Sequence, residues 1–118
     1  MARWDGMFPL FDVHGPEQEP VFAQAVAFVQ AERERLDLNE PFDVIKMGIS
    51  PGGDPAEAAA IINTATKAGA TWWLELIMPE VYGLYPTDPQ AYNVLRTRVM
   101  QGPPAQADRI LLGSQSHI

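Results

Sequence analysis

Three short apolar runs, each followed by a helix-patterned stretch, constrain this chain more than any other feature. The runs are RWDGMFPLF from Arg3, PFDVIKMGIS from Pro41 and GATWWLEL from Gly69. Alternation of strand-like and helix-like segments is the signature of a parallel sheet with crossover helices. The pattern therefore predicts an α/β fold of three consecutive βα units within a single domain, residues 1–118. Three parallel strands leave two edges that need pairing or cover.

The helix after the first run is expected from about Pro20 to Leu36. Val21, Phe22, Ala25, Phe28, Val29 and Leu36 lie near helical spacing, and the ERER run falls on the solvent side. The second helix carries punctuation at both ends. Asp54 is a natural N-cap, Pro55 suits the first helical position, Glu57 completes a capping box and Gly69 supplies a left-handed residue past the end. Its buried stripe is expected at Ala58, Ile61, Ile62 and Ala65. Thr87 with Gln90 repeats the cap logic for a third helix, with Tyr92, Leu95 and Val99 inward and Gly102, Pro103 and Pro104 as the stop. The tail, 105–118, is expected to be partly flexible.

Composition narrows the chemistry. There is no cysteine, so disulfides, thiolate nucleophiles and cysteine zinc sites are excluded. His14 and His117 have no HExxH or HxH company, so no metal site is expected. A net charge of −7 speaks against a nucleic-acid surface, which needs clustered lysine and arginine. No run approaches the ~18 apolar residues of a membrane span, and the opening residues lack a secretory pattern. Those features predict a soluble, cytoplasmic protein without a membrane partner.

Read in order, RWDGMFP, ISPGGDPAEAAAI, AGATWWLE and RTRVMQGPP resemble the C-terminal part of the luciferase-like monooxygenases, flavin-dependent relatives of bacterial luciferase. The resemblance runs from about Arg3 to Pro104. It implies that the three βα units are the last strands of a TIM-type β/α barrel, a partial barrel. It further implies FMN or a deazaflavin as cofactor, with oxygen insertion or hydride transfer as chemistry. Much of the family's cofactor site lies on strands upstream of this stretch, so no catalytic residue carries over. The alternative is a non-catalytic α/β module that self-associates as a homo-oligomer or completes a barrel with a partner chain carrying the missing strands.

Strand alternation makes the wall of that expected site specific. Trp72, Leu74 and Leu76 share one face of the third run, and Trp73 and Glu75 the other. If the first set packs on helices, Trp73 and Glu75 line a lumen, and the same parity places Lys46 and Ser50 beside them. Trp73, Glu75, Lys46 and Ser50 are thus the expected cofactor-contacting residues, with Lys46 and Glu75 as a buried ion pair. The plainer arrangement, which the sequence favours over a working site, has Lys46 reaching solvent along a strand edge and Glu75 hydrogen-bonding backbone. SPGGDP, from Ser50 to Pro55, is read as a strand-to-helix turn, since Asp54 already occupies that helix end. Trp4, Phe8, Phe11 and Tyr82 could stack on a flat ring, although core or interface positions are commoner for such aromatics. Arg96 and Arg98 are expected at the surface. The barrel reading depends on sidedness: Glu75 lying among helix side chains would overturn both the family ancestry and the proposed wall.

Overall fold

The computed structural model describes residues 3–10 and 18–104. His14, Phe11, His117 and the tail lie outside the described residues. The chain is α/β, as the alternation predicts: strands β1 (Gly6–Met7), β2 (Asp43–Gly48) and β3 (Trp72–Glu75), and helices α1 (Gln18–Arg35), α2 (Pro55–Lys67) and α3 (Ala91–Gln101). The sheet order is β1-β2-β3. β1 pairs with β2 in parallel, Gly6 opposite Asp43 and Met7 opposite Val44. On the other side, Thr71 N–H donates to Val44 O and Leu76 N–H to Gly48 O, so both strands advance in the same direction.

Two compact units divide the described residues, one of 3–10, 18–46 and 63–73, the other of 47–62 and 74–104. The first has a core of Met7, Phe22, Val26, Val29, Val44, Ala65 and Ala70, with Phe42, Ala68 and Trp73 packed against it. Phe22, Val26 and Val29 supply the buried stripe of α1, and each contributes about 1.5–3 kcal/mol by leaving water. The stripe differs from the expected one, because Val21 and Phe28 are exposed. The ERER run is not wholly solvated either. Arg35 pairs with Glu32 at the surface, but Arg33 is buried, with its guanidinium 4.5 Å from the Phe42 ring centroid and a 2.7 Å bond to Glu40 O. An aromatic face and a carbonyl together let that charge leave solvent.

Helix ends follow the backbone rules. α1 begins at Gln18, and Pro20 is tolerated in its first turn, where the amide has no intrahelical partner. The helix stops as Asp37 turns left-handed at φ 56°, with Leu38 N–H bonded to Arg33 O and Asp37 N–H to Glu34 O. α2 ends in the same motif: Ala70 N–H bonds Ala65 O, Gly69 N–H bonds Thr66 O, and Gly69 sits at φ 108°. A Cβ on Gly69 would lie 2.7 Å from Val26 Cγ1, so glycine is needed there for space as well as for conformation. At the other end Asp54 Oδ1 accepts the Glu57 N–H at 3.1 Å, as the cap reading expects. Ala58, Ile62 and Ala65 are buried.

The second unit holds the first turns of α2, the segment after β3 and α3. A single 3-10 turn spans Pro79–Tyr82. α3 starts at Ala91, three residues later than the Thr87 cap predicted. Pro89 disfavours helical geometry at Asp88, and Asp88 instead closes a turn by accepting the Tyr85 N–H at 2.6 Å. That delay fits a different buried face. Tyr92 and Val99 are exposed, while Ala91 and Arg98 are buried.

Candidate functional site

The second unit brings Ser50 and Glu75 together, and adds a residue that the sequence reading placed at the surface. Ser50 lies two positions beyond β2, and Glu75 is the last residue of β3. Glu75 Oε2 accepts the Ser50 backbone N–H at 2.7 Å, and Oε1 accepts the Ser50 hydroxyl. Arg98, from the last turn of α3, donates through Nη2 to Glu75 Oε1 at 3.1 Å and to Ser50 Oγ at 3.1 Å. Its Nε faces Ser50 O at 3.4 Å and its Nη1 donates to Gly102 O at 2.6 Å. Arg98 is 5% exposed and Ser50 2%. Every guanidinium nitrogen is used, so the cation tolerates burial. The cluster is a clasp across two strand ends and a helix, with no uncommitted acid or base in it.

Gly52 permits the clasp to close. A Cβ there would meet Gln101 Oε1 at 1.8 Å and Arg98 Cδ at 3.0 Å. A side chain at Gly52 would therefore push the exposed Gln101 amide aside and press on the Arg98 stem.

Sidedness differs from the expectation. Side chains of β3 alternate as predicted, but Trp73 faces the helix-packed core, whereas Trp72 and Leu74 are 44% and 46% exposed. Glu75 lies against a helix side chain, Arg98. Alternation fixes which residues share a face but not which face is covered. The covering is decided by Phe22 and Val26 of α1, which pack with Val44 of β2, and by the cation on α3. Trp73 therefore packs in the first unit's core instead of lining a lumen, and Glu75 meets Arg98 in the second. In the plainer alternative Glu75 was to bond backbone, and it does so at Ser50.

Lys46 and Trp73 belong to the first unit. Lys46 is buried rather than solvent-reaching. Its Nζ donates to Gln18 Oε1, lies 3.9 Å from Glu19 Oε1, and sits 5.3 Å from the Phe22 ring centroid. The cation that balances Glu75 in the second unit is Arg98. Burial lowers the Lys46 pKa, and Glu19 offsets only part of that shift. A lysine with a folded pKa below its unfolded value binds fewer protons when folded, so stability rises as pH climbs toward the ordinary 10.5. The expected result is a gain in chemical-denaturation stability of the native chain relative to Lys46→Met between about pH 8 and pH 10. A constant difference across that range would show that Lys46 is as well solvated when folded as when unfolded.

Beside the clasp, the second unit opens a groove of about 580 Å³. Its apolar wall includes Ile49, Ile61, Val81 and Val94, and its polar rim includes Gln90, Asn93 and Gln101. The groove lies at the C-terminal end of β2, where parallel α/β sheets hold their ligands. Tyr82 also lines it, with a buried hydroxyl that meets no hydrogen-bond partner among the described residues. Burial raises the Tyr82 pKa; Arg98 opposes that shift and Glu75 adds to it. An unpaired buried hydroxyl costs about 1–3 kcal/mol. Tyr82→Phe is accordingly expected to raise the denaturation midpoint without changing the slope, and a fall would reveal a bond made by that hydroxyl.

Arg98 is the residue that sequence reasoning missed in this role, although a signal existed: Ala91, Val94 and Arg98 lie at i, i+3 and i+7, one helix face. Tyr82, named from sequence among the aromatics that could meet a flat ring, does line the groove. No family model, curated protein or solved structure matches the chain. Among the described residues no group of three His, Cys, Asp or Glu could hold a metal ion, and no helix is long and apolar enough to cross a membrane.

Proposed function

We propose that the groove of the second unit holds the ring of a flavin-type cofactor, the ligand class that the resemblance to luciferase-like monooxygenases implies. The observation that carries this reading is the groove itself, apolar-walled, amide-rimmed and set at a strand C-terminus. The order of RWDGMFP, ISPGGDPAEAAAI, AGATWWLE and RTRVMQGPP suggests the ligand class by resemblance, whereas Glu75 set against Arg98 of α3 speaks against barrel descent. Glu75 and Ser50 then act by shaping the groove's base through Arg98 rather than by touching the ring. In the family such rings serve oxygen insertion or hydride transfer; in this chain the groove supplies binding surface.

The test is a titration of FMN followed by flavin fluorescence. Saturable quenching is expected, weakened at least tenfold by Thr97→Trp, which fills the groove from an exposed position of α3. Equal quenching in that variant, with an unchanged melt, would place the ring elsewhere.

A second reading rests on Trp72 and Leu74. They expose one face of an edge strand, and an open parallel edge with an apolar face favours cover by another chain. We propose that this face supports self-association or takes up the strands of a partner. Elution volume that shifts with concentration, and that Trp72→Lys abolishes, is the expected behaviour; a monomer at all concentrations would exclude self-association.

A further inference from the structure

The outer face of α3 inverts the usual division between core and solvent. Tyr92, Arg96, Val99 and Met100 lie at i, i+4, i+7 and i+8, one side of the helix. Ala91 and Arg98 are the buried residues of the same helix. Apolar side chains thus face water while a cation is enclosed. Tyr92 is 73% exposed, Val99 61% and Met100 72%, with Arg96 exposed among them. We infer that this face pairs two copies of the chain, helix against helix, about a two-fold axis at Tyr92. None of these four residues lines the groove, so the pairing is independent of what the groove binds.

Charge makes the face self-complementary. Asp88 stands one turn before Tyr92 and Arg96 one turn after it. The backbone at Asp88 leads directly into the helix, since Ala91 N–H donates to Asp88 O at 3.0 Å and Gln90 already has helical dihedrals. In an antiparallel pairing through Tyr92, each Arg96 falls opposite Asp88 of the other copy, so a two-fold axis satisfies both cations at once. Asp88 accepts the Tyr85 N–H at 2.6 Å and keeps acceptor capacity for a guanidinium. α3 carries no acid, so Arg96 has no opposite charge along its own helix. The exposed parts of Tyr92, Val99 and Met100 come to roughly 300–400 Å² per copy, about 600–800 Å² for two. Interfaces are about 60% apolar, so the whole contact would be roughly 1,000–1,300 Å². That clears the ~1,000 Å² a specific pair needs.

Sedimentation velocity of the full chain at about 100 µM tests this. Twice the chain mass is expected, and it persists in Trp72→Lys, because pairing through α3 closes at two copies and growth beyond two belongs to the β3 face. Arg96→Glu and Asp88→Lys should each give single chains, since like charges then meet at both ends of the interface. An equimolar mixture of those two variants should regain the doubled mass: the altered side chains oppose each other at one end, and the native pair meets at the other. Tyr92→Lys, at an exposed site, should also give single chains with native circular dichroism, which serves if Asp88→Lys loosens the turn at Tyr85. A monomeric native chain would overturn the pairing and leave the face to residues 105–118 or to a different protein. A dimer that survives both Arg96→Glu and Tyr92→Lys would place the contact elsewhere, and a mixture of folded variants that stays monomeric would exclude the reciprocal charge pairs; either result overturns it.

Discussion

Arg98→Met destabilises the chain by about 3–5 kcal/mol, the expected consequence of removing one partner from a buried, hydrogen-bonded ion pair. The Glu75 side chain, 11% exposed in the native chain, would lose the guanidinium beside it, and Ser50 O and Gly102 O would lose a donor. Glu75→Leu alone leaves the complementary problem, a buried guanidinium without its carboxylate. The double variant, Glu75→Leu with Arg98→Met, removes both charges and should recover much of the loss, since apolar replacement of a whole buried pair is often neutral. Urea denaturation of the three variants yields the coupling energy directly. Additive single effects would mean that the pair contributes nothing as a pair.

Phe22→Ala is the second large effect, about 3–5 kcal/mol. Phe22 has no exposure and packs among Met7, Val26, Val29 and Val44 in the first unit's core. Its ring also lies 5.3 Å from the Lys46 ammonium, so truncation removes a cation–π contact along with the apolar volume. For a domain whose net stability is of order 5–15 kcal/mol, this loss is a large share of the whole. A loss under about 1.5 kcal/mol would mean that the core closes around the missing ring, which densely packed interiors rarely manage.

The sequence carried the order of elements and the ends of α2, because those rest on local conformational rules. Aspartate, proline and glycine each restrict the backbone in a way that needs no knowledge of neighbours. Sidedness was not legible. Strand alternation divides Trp72 and Leu74 from Trp73 and Glu75, but the choice of covered face belongs to residues far along the chain, Phe22 and Val26 for Trp73 and Arg98 for Glu75. Charged helix positions misled for the same reason. Arg33 and Arg98 read as solvated, yet Phe42 with Glu40 O receives one, and Glu75 with Ser50 receives the other. Tyr92 and Val99 misled in the opposite direction, apolar by residue type and exposed in the fold.

The two adjacent indoles have an optical consequence. Trp73 packs on the first unit's core, whereas Trp72 and the third indole, Trp4, stand in water. Iodide should extinguish the emission of Trp72 and Trp4 and spare a blue-shifted remainder from Trp73. That remainder is a built-in gauge of the first unit alone, which lets its melting be followed without any label.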